Sequence, residues 1–262
     1  MKHISSRENP SFRKLLALHE SAAARREAGR ALLEGIHLVA AYREARGIPE
    51  TLVVSESAQH HPEAVALLQA LADTEILLLP DRLFERVAQV SAPVGIAAVV
   101  VIPVPGPGTA PDLGVLLEDI QDPGNVGTIL RSAAAAGAQA AWLSRGCADP
   151  WSPRVLRAAM GAHFRLAVHA GADLPAVARE FRGQVVATVP RDGRSLYECR
   201  FTGPIAVVLG SEGSGVSAQL LAETDATVSI PMAPGAESLN AAAAAAVFLF
   251  EVVRQRTVVS SQ

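Results

Sequence analysis

Cysteine is nearly absent: Cys147 and Cys199 are the only two in 262 residues, and their spacing matches no metal-binding pair. That usage fits a reducing cytoplasm rather than a disulfide scaffold. The seven histidines form no H-E-x-x-H or related pattern, so no metal is expected. Long hydrophobic runs are missing too. No apolar stretch reaches the ~18 residues of a membrane span, and the alanine-rich segment that comes closest is closed by Glu251 and Arg254. No membrane association is therefore expected. The first residues, Met1-Lys-His-Ile-Ser-Ser-Arg7, lack the apolar core of a secretory signal. Standard phosphate loops are also absent, because the glycines at 210, 213 and 215 fit neither G-x-G-x-x-G nor a Walker A loop, and no lysine follows them. The same segment is not a G-x-S-x-G nucleophile elbow.

What is present is an ordinary globular composition. Half the residues are hydrophobic and 19% are charged, in a chain long enough for one large domain or two modest ones. The net charge of −3 hides an asymmetry: residues 1–30 carry seven cationic side chains against three acidic ones. A locally basic face on an acidic protein can be a phosphate footprint. Only Lys2 and Lys14 are lysine, and arginine's planar fork suits phosphate.

Apolar spacing predicts helix from Pro10 to about Arg46, interrupted at Gly29 and Gly35. Thr51–Val54 reads as a buried strand, 63–72 as a helix and Glu75–Leu79 as a strand. Asp81 is expected to cap a short helix reaching Val90, before a strand at 95–101. These elements make a small α/β domain over residues 1–102. Residues 103–111 hold four prolines and two glycines, the best linker in the chain.

From 112 to 262 strand and helix signals alternate. Strands are predicted at 115–117, 140–143, 164–168, 185–189, 205–209 and 227–230, and helices at 124–136, 153–160, 174–181 and 216–221. A small-residue helix follows Ala241. Such alternation predicts a largely parallel sheet covered on both faces, with ligands beyond the carboxyl ends of its strands. Three loops then share one rim: 119–125, 210–215 and 231–240. In the first, Asn125 reads as preceding a helix that contains Arg131. In the third, Ser238 occupies the expected N-cap position.

The loops in order are Leu117-Glu-Asp-Ile-Gln-Asp-Pro-Gly-Asn-Val-Gly-Thr-Ile-Leu-Arg131, Leu209-Gly-Ser-Glu-Gly-Ser-Gly215 and Ile230-Pro-Met-Ala-Pro-Gly-Ala-Glu-Ser-Leu-Asn240. This ordered set resembles the SpoU/TrmH type of RNA ribose 2′-O-methyltransferase. The likeness extends to Asp149-Pro-Trp-Ser-Pro153 and Ala158-Ala-Met-Gly-Ala-His-Phe164. Asn9-Pro-Ser-Phe-Arg-Lys-Leu15 and Leu33-Glu-Gly-Ile-His37 are similar to the family's ribosomal-protein-like RNA-binding module.

The resemblance implies an N-terminal small α/β RNA-binding domain plus a C-terminal parallel-sheet α/β domain with a deep trefoil knot, in a homodimer. It implies S-adenosylmethionine held by the backbone at Gly210, Ile230 and Leu239 with Met232 beside it. Asn125, Arg131, Glu212, Ser238 and Asn240 would form the catalytic group, acting on structured RNA, with rRNA ahead of tRNA. Arg131 is expected to clamp phosphate and alkoxide, and Glu212 to hold Arg131 or orient Asn125. Arg154 and Arg157 are further phosphate candidates. Ala241-Ala242 departs from the family's frequent Val-Ser and removes a hydroxyl. The alternative is a non-catalytic RNA-binding or ribosome-assembly protein on the same fold.

Overall fold

The computed structural model describes residues 1–88, 93–106, 110–235 and 237–259. Two compact units emerge: Met1–Val104 with Trp151–Phe164, and Pro105–Pro150 with Arg165–Gln262. In chain order the early strands are β1 (Lys2–His3), β2 (Arg30–Glu34), β3 (Thr51–Ser55), β4 (Glu75–Leu79) and β5 (Ile96–Val101). Between them lie α1 (Pro10–Glu20), α2 (Ala22–Ala28), α3 (Ile36–Arg46), α4 (Pro62–Ala70) and α5 (Asp81–Phe84). The later strands are β6 (Leu113–Leu117), β7 (Ala140–Leu143), β8 (Ala167–Ala170), β9 (Gln184–Thr188), β10 (Arg194–Ser195), β11 (Ile205–Leu209) and β12 (Ala226–Ser229). Their helices are α6 (Pro123–Ala135), α7 (Pro153–Ala159), α8 (Leu174–Glu180), α9 (Ala218–Leu221) and α10 (Ala241–Val259).

The first unit is a mixed sheet in the order β1-β4-β3-β5-β2, with β5 antiparallel to both neighbours. Residues alternate across a strand, so Leu52, Val54 and Ala98 face one core and Val53, Ala97 and Val99 the other. The first of these cores also takes Trp151 from just before α7, Leu156 from within it and Phe164 from the turn after it, and Phe164 meets Tyr42 edge-on at 5.3 Å. Arg154 and Arg157 point out from that helix and are exposed.

The helix predicted through Arg30–Glu34 is instead β2, paired antiparallel with β5. Ala31-Leu32-Leu33 is a short apolar run that period alone cannot assign, and Gly29 (φ 61°) and Gly35 (φ 98°) detach it from the flanking helices. Asp81 is not a cap either: it is the first residue of α5, and its Oδ1 accepts from the Ser57 amide (3.1 Å) and hydroxyl (2.8 Å). The expected helix end at Val90 lies outside the described residues, as does 107–109 of the proline-rich linker. The basic segment 1–30 also thins. Arg25 is 4% exposed and donates to the Leu18 and His19 carbonyls, while Arg13 pairs with Glu8 and Arg30 with Glu50. Lys2, Arg7, Lys14 and Arg26 stay exposed.

All seven strands of the second unit run parallel, in the order β10-β12-β9-β11-β6-β7-β8. Leu116, Ala206, Val208, Val185 and Ala187 face a core shared with α8 and α9. Across the sheet, α6 and α10 pack along one another, burying Val126, Ile129, Leu130, Phe248, Leu249 and Val252. The strand predicted at 164–168 begins later, at Ala167, because Ala162–Phe164 forms a turn of 3₁₀ helix. The two-residue strands β1 and β10 escape any period-based reading. No helix among the described residues is long and apolar enough to cross a membrane.

Candidate active site

Parallel strands deliver their carboxyl ends to one edge, and here β12, β9, β11 and β6 are consecutive neighbours. Beyond their ends lies a cavity of about 690 Å³. Its walls are Thr188–Pro190 from the end of β9 onward, Leu209–Val216 from the end of β11 onward, Val228, Ile230 and Met232, and Ser238–Ala241 with Ala244 at the start of α10. Gly210, Ile230, Met232 and Leu239 therefore line one space, as do Glu212, Ser238 and Asn240. Among the described lining residues none is cationic, and Glu212 alone is anionic. The wall contributed by Thr188, Val189 and Pro190 was not anticipated, since sequence does not reveal that β9 sits between β12 and β11.

The glycine loop is tightly wound. Ser211 and Gly215 exchange backbone hydrogen bonds of 3.2 and 2.9 Å, and Gly215 takes a φ of 67°. A Cβ at Gly210 would lie 2.2 Å from the Gly215 carbonyl, so only glycine fits there.

Three side chains from three loops close into a hydrogen-bonded triangle at the exposed mouth. Asn240 Nδ2 donates to Asn125 Oδ1 (2.9 Å) and Glu212 Oε1 (3.3 Å), and Asn125 Nδ2 donates to the same Glu212 oxygen (2.5 Å). The Asn240 amide can point only this way, because its Oδ1 is taken by the amides of Ala242 (2.9 Å) and Ala243 (3.3 Å). Asn240, not Ser238, is thus the cap of α10: the helix starts at Ala241, and the cap is the residue just before it. Ser238 remains on the cavity wall, exposed, with its hydroxyl bonded to no described residue. Ala241 and Ala242 are buried behind the cap.

Asn125 lies inside the first turn of α6 rather than before it. Asp122 is the cap, its Oδ1 accepting from the Asn125 amide at 2.8 Å, and Pro123 opens the helix. Of the two partners expected for Glu212, the carboxylate bonds Asn125 and leaves Arg131 alone. Arg131 lies nearly two turns further along α6, exposed, without a hydrogen bond or ion pair to another described residue and outside the cavity lining.

Comparison with known proteins identifies the family. Residues 112–250 match the SpoU rRNA methylase family, and residues 1–98 match an MRM3-like substrate-binding domain. An uncharacterised tRNA/rRNA methyltransferase of Synechocystis is 36% identical over 98% of this chain and 96% of its own length. A 23S rRNA guanosine 2′-O-methyltransferase of Bacillus subtilis is 32% identical over 96% of this chain and 99% of its own. The structure of the SpoU methyltransferase AviRb from Streptomyces viridochromogenes in complex with AdoMet superposes with a TM-score of 0.83, at 30% identity, covering 95% of this chain and all of that one. The family match covers more than half of a chain whose three rim loops join their side chains at one cavity, and this chain belongs to the SpoU rRNA methylase family.

Proposed function

We propose that the protein transfers a methyl group from S-adenosylmethionine to a ribose 2′-hydroxyl of ribosomal RNA, as a homodimer whose second unit closes into a deep trefoil knot. The cavity suits the cofactor. Its volume lies within the range of roughly 300–1,000 Å³ usual for small-molecule sites. Aliphatic Ile230, Met232 and Leu239 suit a flat neutral base, and one carboxylate with no cation among the described lining residues suits a ligand carrying a positive centre better than a phosphate. Bound there, the cofactor supplies a methyl carbon already activated by its sulfonium, so the leaving group needs no acid.

The chain orients the ribose and receives its hydroxyl proton. Glu212 Oε1 is occupied by the two amides, whereas Oε2 bonds no described residue. We assign the proton to Oε2. The Asn125 and Asn240 amides keep that carboxylate in one orientation, and the Ser238 hydroxyl helps hold the sugar. Arg131 clamps the neighbouring phosphate and the developing alkoxide through its planar fork of donors.

Arg131 is exposed and lies outside its own cavity lining, which supports a role at the partner's cavity. Val247 and Phe250, one turn apart on α10, are 37% and 48% exposed and support an apolar interface beside α6. The strand order supports the knot, because β11 and β12 enter the sheet between strands laid down before them. The RNA-binding role of the first unit is supported by its exposed Lys2, Arg7, Lys14 and Arg26, and RNA rather than DNA follows from the 2′-hydroxyl.

The observation that carries this reading is the Asn125–Glu212–Asn240 triangle at the mouth of a cavity with no cation among its described lining residues. Incubation with methyl-labelled cofactor and ribosomal RNA should place label on a 2′-O-methylnucleoside after digestion. Label on a base, or on no RNA, would overturn it.

A further inference from the structure

Glu118 leaves β6 one residue past Leu117, with its amide donating to the Leu209 carbonyl at 2.8 Å. That bond starts its side chain beside the root of the glycine loop. Its carboxylate takes both donors of Ser217: the backbone amide on Oε2 and the hydroxyl on Oε1, each at 2.7 Å. Ser217 also caps α9, its hydroxyl oxygen accepting from the Leu220 amide at 3.2 Å. The loop between Gly210 and Ser217 supplies an unbroken wall of the cavity, yet Glu212, Gly213 and Ser214 on it are exposed, and its internal bonds from Ser211 to Ser214 and Gly215 fix its shape rather than its place. Its position is therefore set by its ends and by straps across it. Two carboxylates provide them in opposite senses: Glu118 reaches from the first loop to Ser217, and Glu212 reaches back to Asn125.

We propose that Glu118 is a positioning residue for the cofactor, holding Ser217 so that the Gly210–Val216 wall stands at the right distance from S-adenosylmethionine. This rests on the cofactor reading above. The negative charge matters because two donors converge on it, and charge-assisted hydrogen bonds are roughly twice as strong as neutral ones. A glutamine would turn an NH₂ toward one of those donors.

Calorimetric titration of the full-length protein with S-adenosylhomocysteine tests the assignment. Glu118→Gln should raise Kd about tenfold, and Glu118→Asp, which keeps the charge one methylene back, should raise it less. Ser217→Ala should weaken binding too, and the double variant Glu118→Gln/Ser217→Ala should lose no more than Glu118→Gln alone, since both act through one contact. Deuterium exchange gives a readout independent of affinity: the Ser217 amide should exchange at least tenfold faster in Glu118→Gln, with β6 and α10 protected as before. Binding within twofold of wild type, full additivity in the double variant, or exchange accelerated evenly across the unit would each overturn the assignment. Wild-type protein that fails to bind the probe overturns the cofactor reading and this assignment together, whereas a wild-type binder with an unaffected Glu118→Gln overturns only the role of Glu118.

Discussion

The same clasp occurs in both units with opposite outcomes. At the rim of the first sheet Asp81, just after β4, accepts from the amide and hydroxyl of Ser57, just after the neighbouring β3. At the rim of the second, Glu118 after β6 accepts from the amide and hydroxyl of Ser217, eight residues beyond the end of the neighbouring β11. A carboxylate therefore ties adjacent parallel strand ends in each. In the first unit Ser57 lies only two positions beyond Ser55, the end of β3, and the tie seals the edge. In the second the extra length is a glycine loop, and the tie holds a wall in place around a space. Loop length decides which of the two a clasp does. The charges divide accordingly, with exposed cations on the first unit and one carboxylate among neutral amides at the cavity of the second.

The largest expected effect is confined to the second unit. Glu212→Gln retains an oxygen for both amides and loses the free one, so kcat should fall ~10²- to 10⁴-fold, the usual worth of a positioned acid or base. Unchanged single-turnover rates would remove Glu212 as proton acceptor. Next comes Arg131→Lys, which keeps charge and removes the planar fork. A loss of about 10- to 100-fold in kcat/KM matches the ~1.5–3 kcal/mol of a hydrogen bond to a charged group, and near-normal turnover would mean the fork is not needed.

Smaller effects belong to the first unit. Replacing Lys14 and Arg26 by alanine should weaken RNA binding and flatten its log–log salt dependence by about two units, one per lost phosphate contact. S-adenosylhomocysteine affinity should not move; an equal slope in the variant would remove these side chains from the RNA footprint. The smallest effect is Asp81→Asn. Hydrogen bonds from the Ser57 amide and then its hydroxyl hold the Asp81 carboxyl below its ordinary value. A lowered folded-state pKa gives stability that is present above the unfolded value of about 3.9 and is lost as pH falls through the folded one. Denaturant melts should therefore separate wild type from Asp81→Asn at pH 7 and converge below about pH 4. A gap that persists in acid would mean the clasp contributes nothing through its charge.

How much of this could be read in advance depended on how local the cause was. The parallel sheet was legible because six of its strands are apolar runs broken by helical periods, and the rim followed from parallel direction alone. β2 was not, because Leu32 and Leu33 satisfy either period until β5 is known to lie beside them. Ser238 looked like a cap because hydroxyls cap well, but where α10 begins is decided by Asn240, whose two ends serve the helix and the triangle at once. Glu118 and Ser217 stand 99 residues apart, and nothing in either neighbourhood announces the other.

One further consequence comes from α7. The chain completes β5 at Val101, yet Trp151, Leu156 and Phe164 belong to the same interior as Leu52 and Val54. During synthesis the amino-terminal body must wait, its interior incomplete, until some sixty further residues have emerged from the ribosome. Cutting the gene at the proline-rich connection would yield a fragment with a missing keystone, so a soluble substrate-recognition module has to carry residues 151–164 along with 1–104.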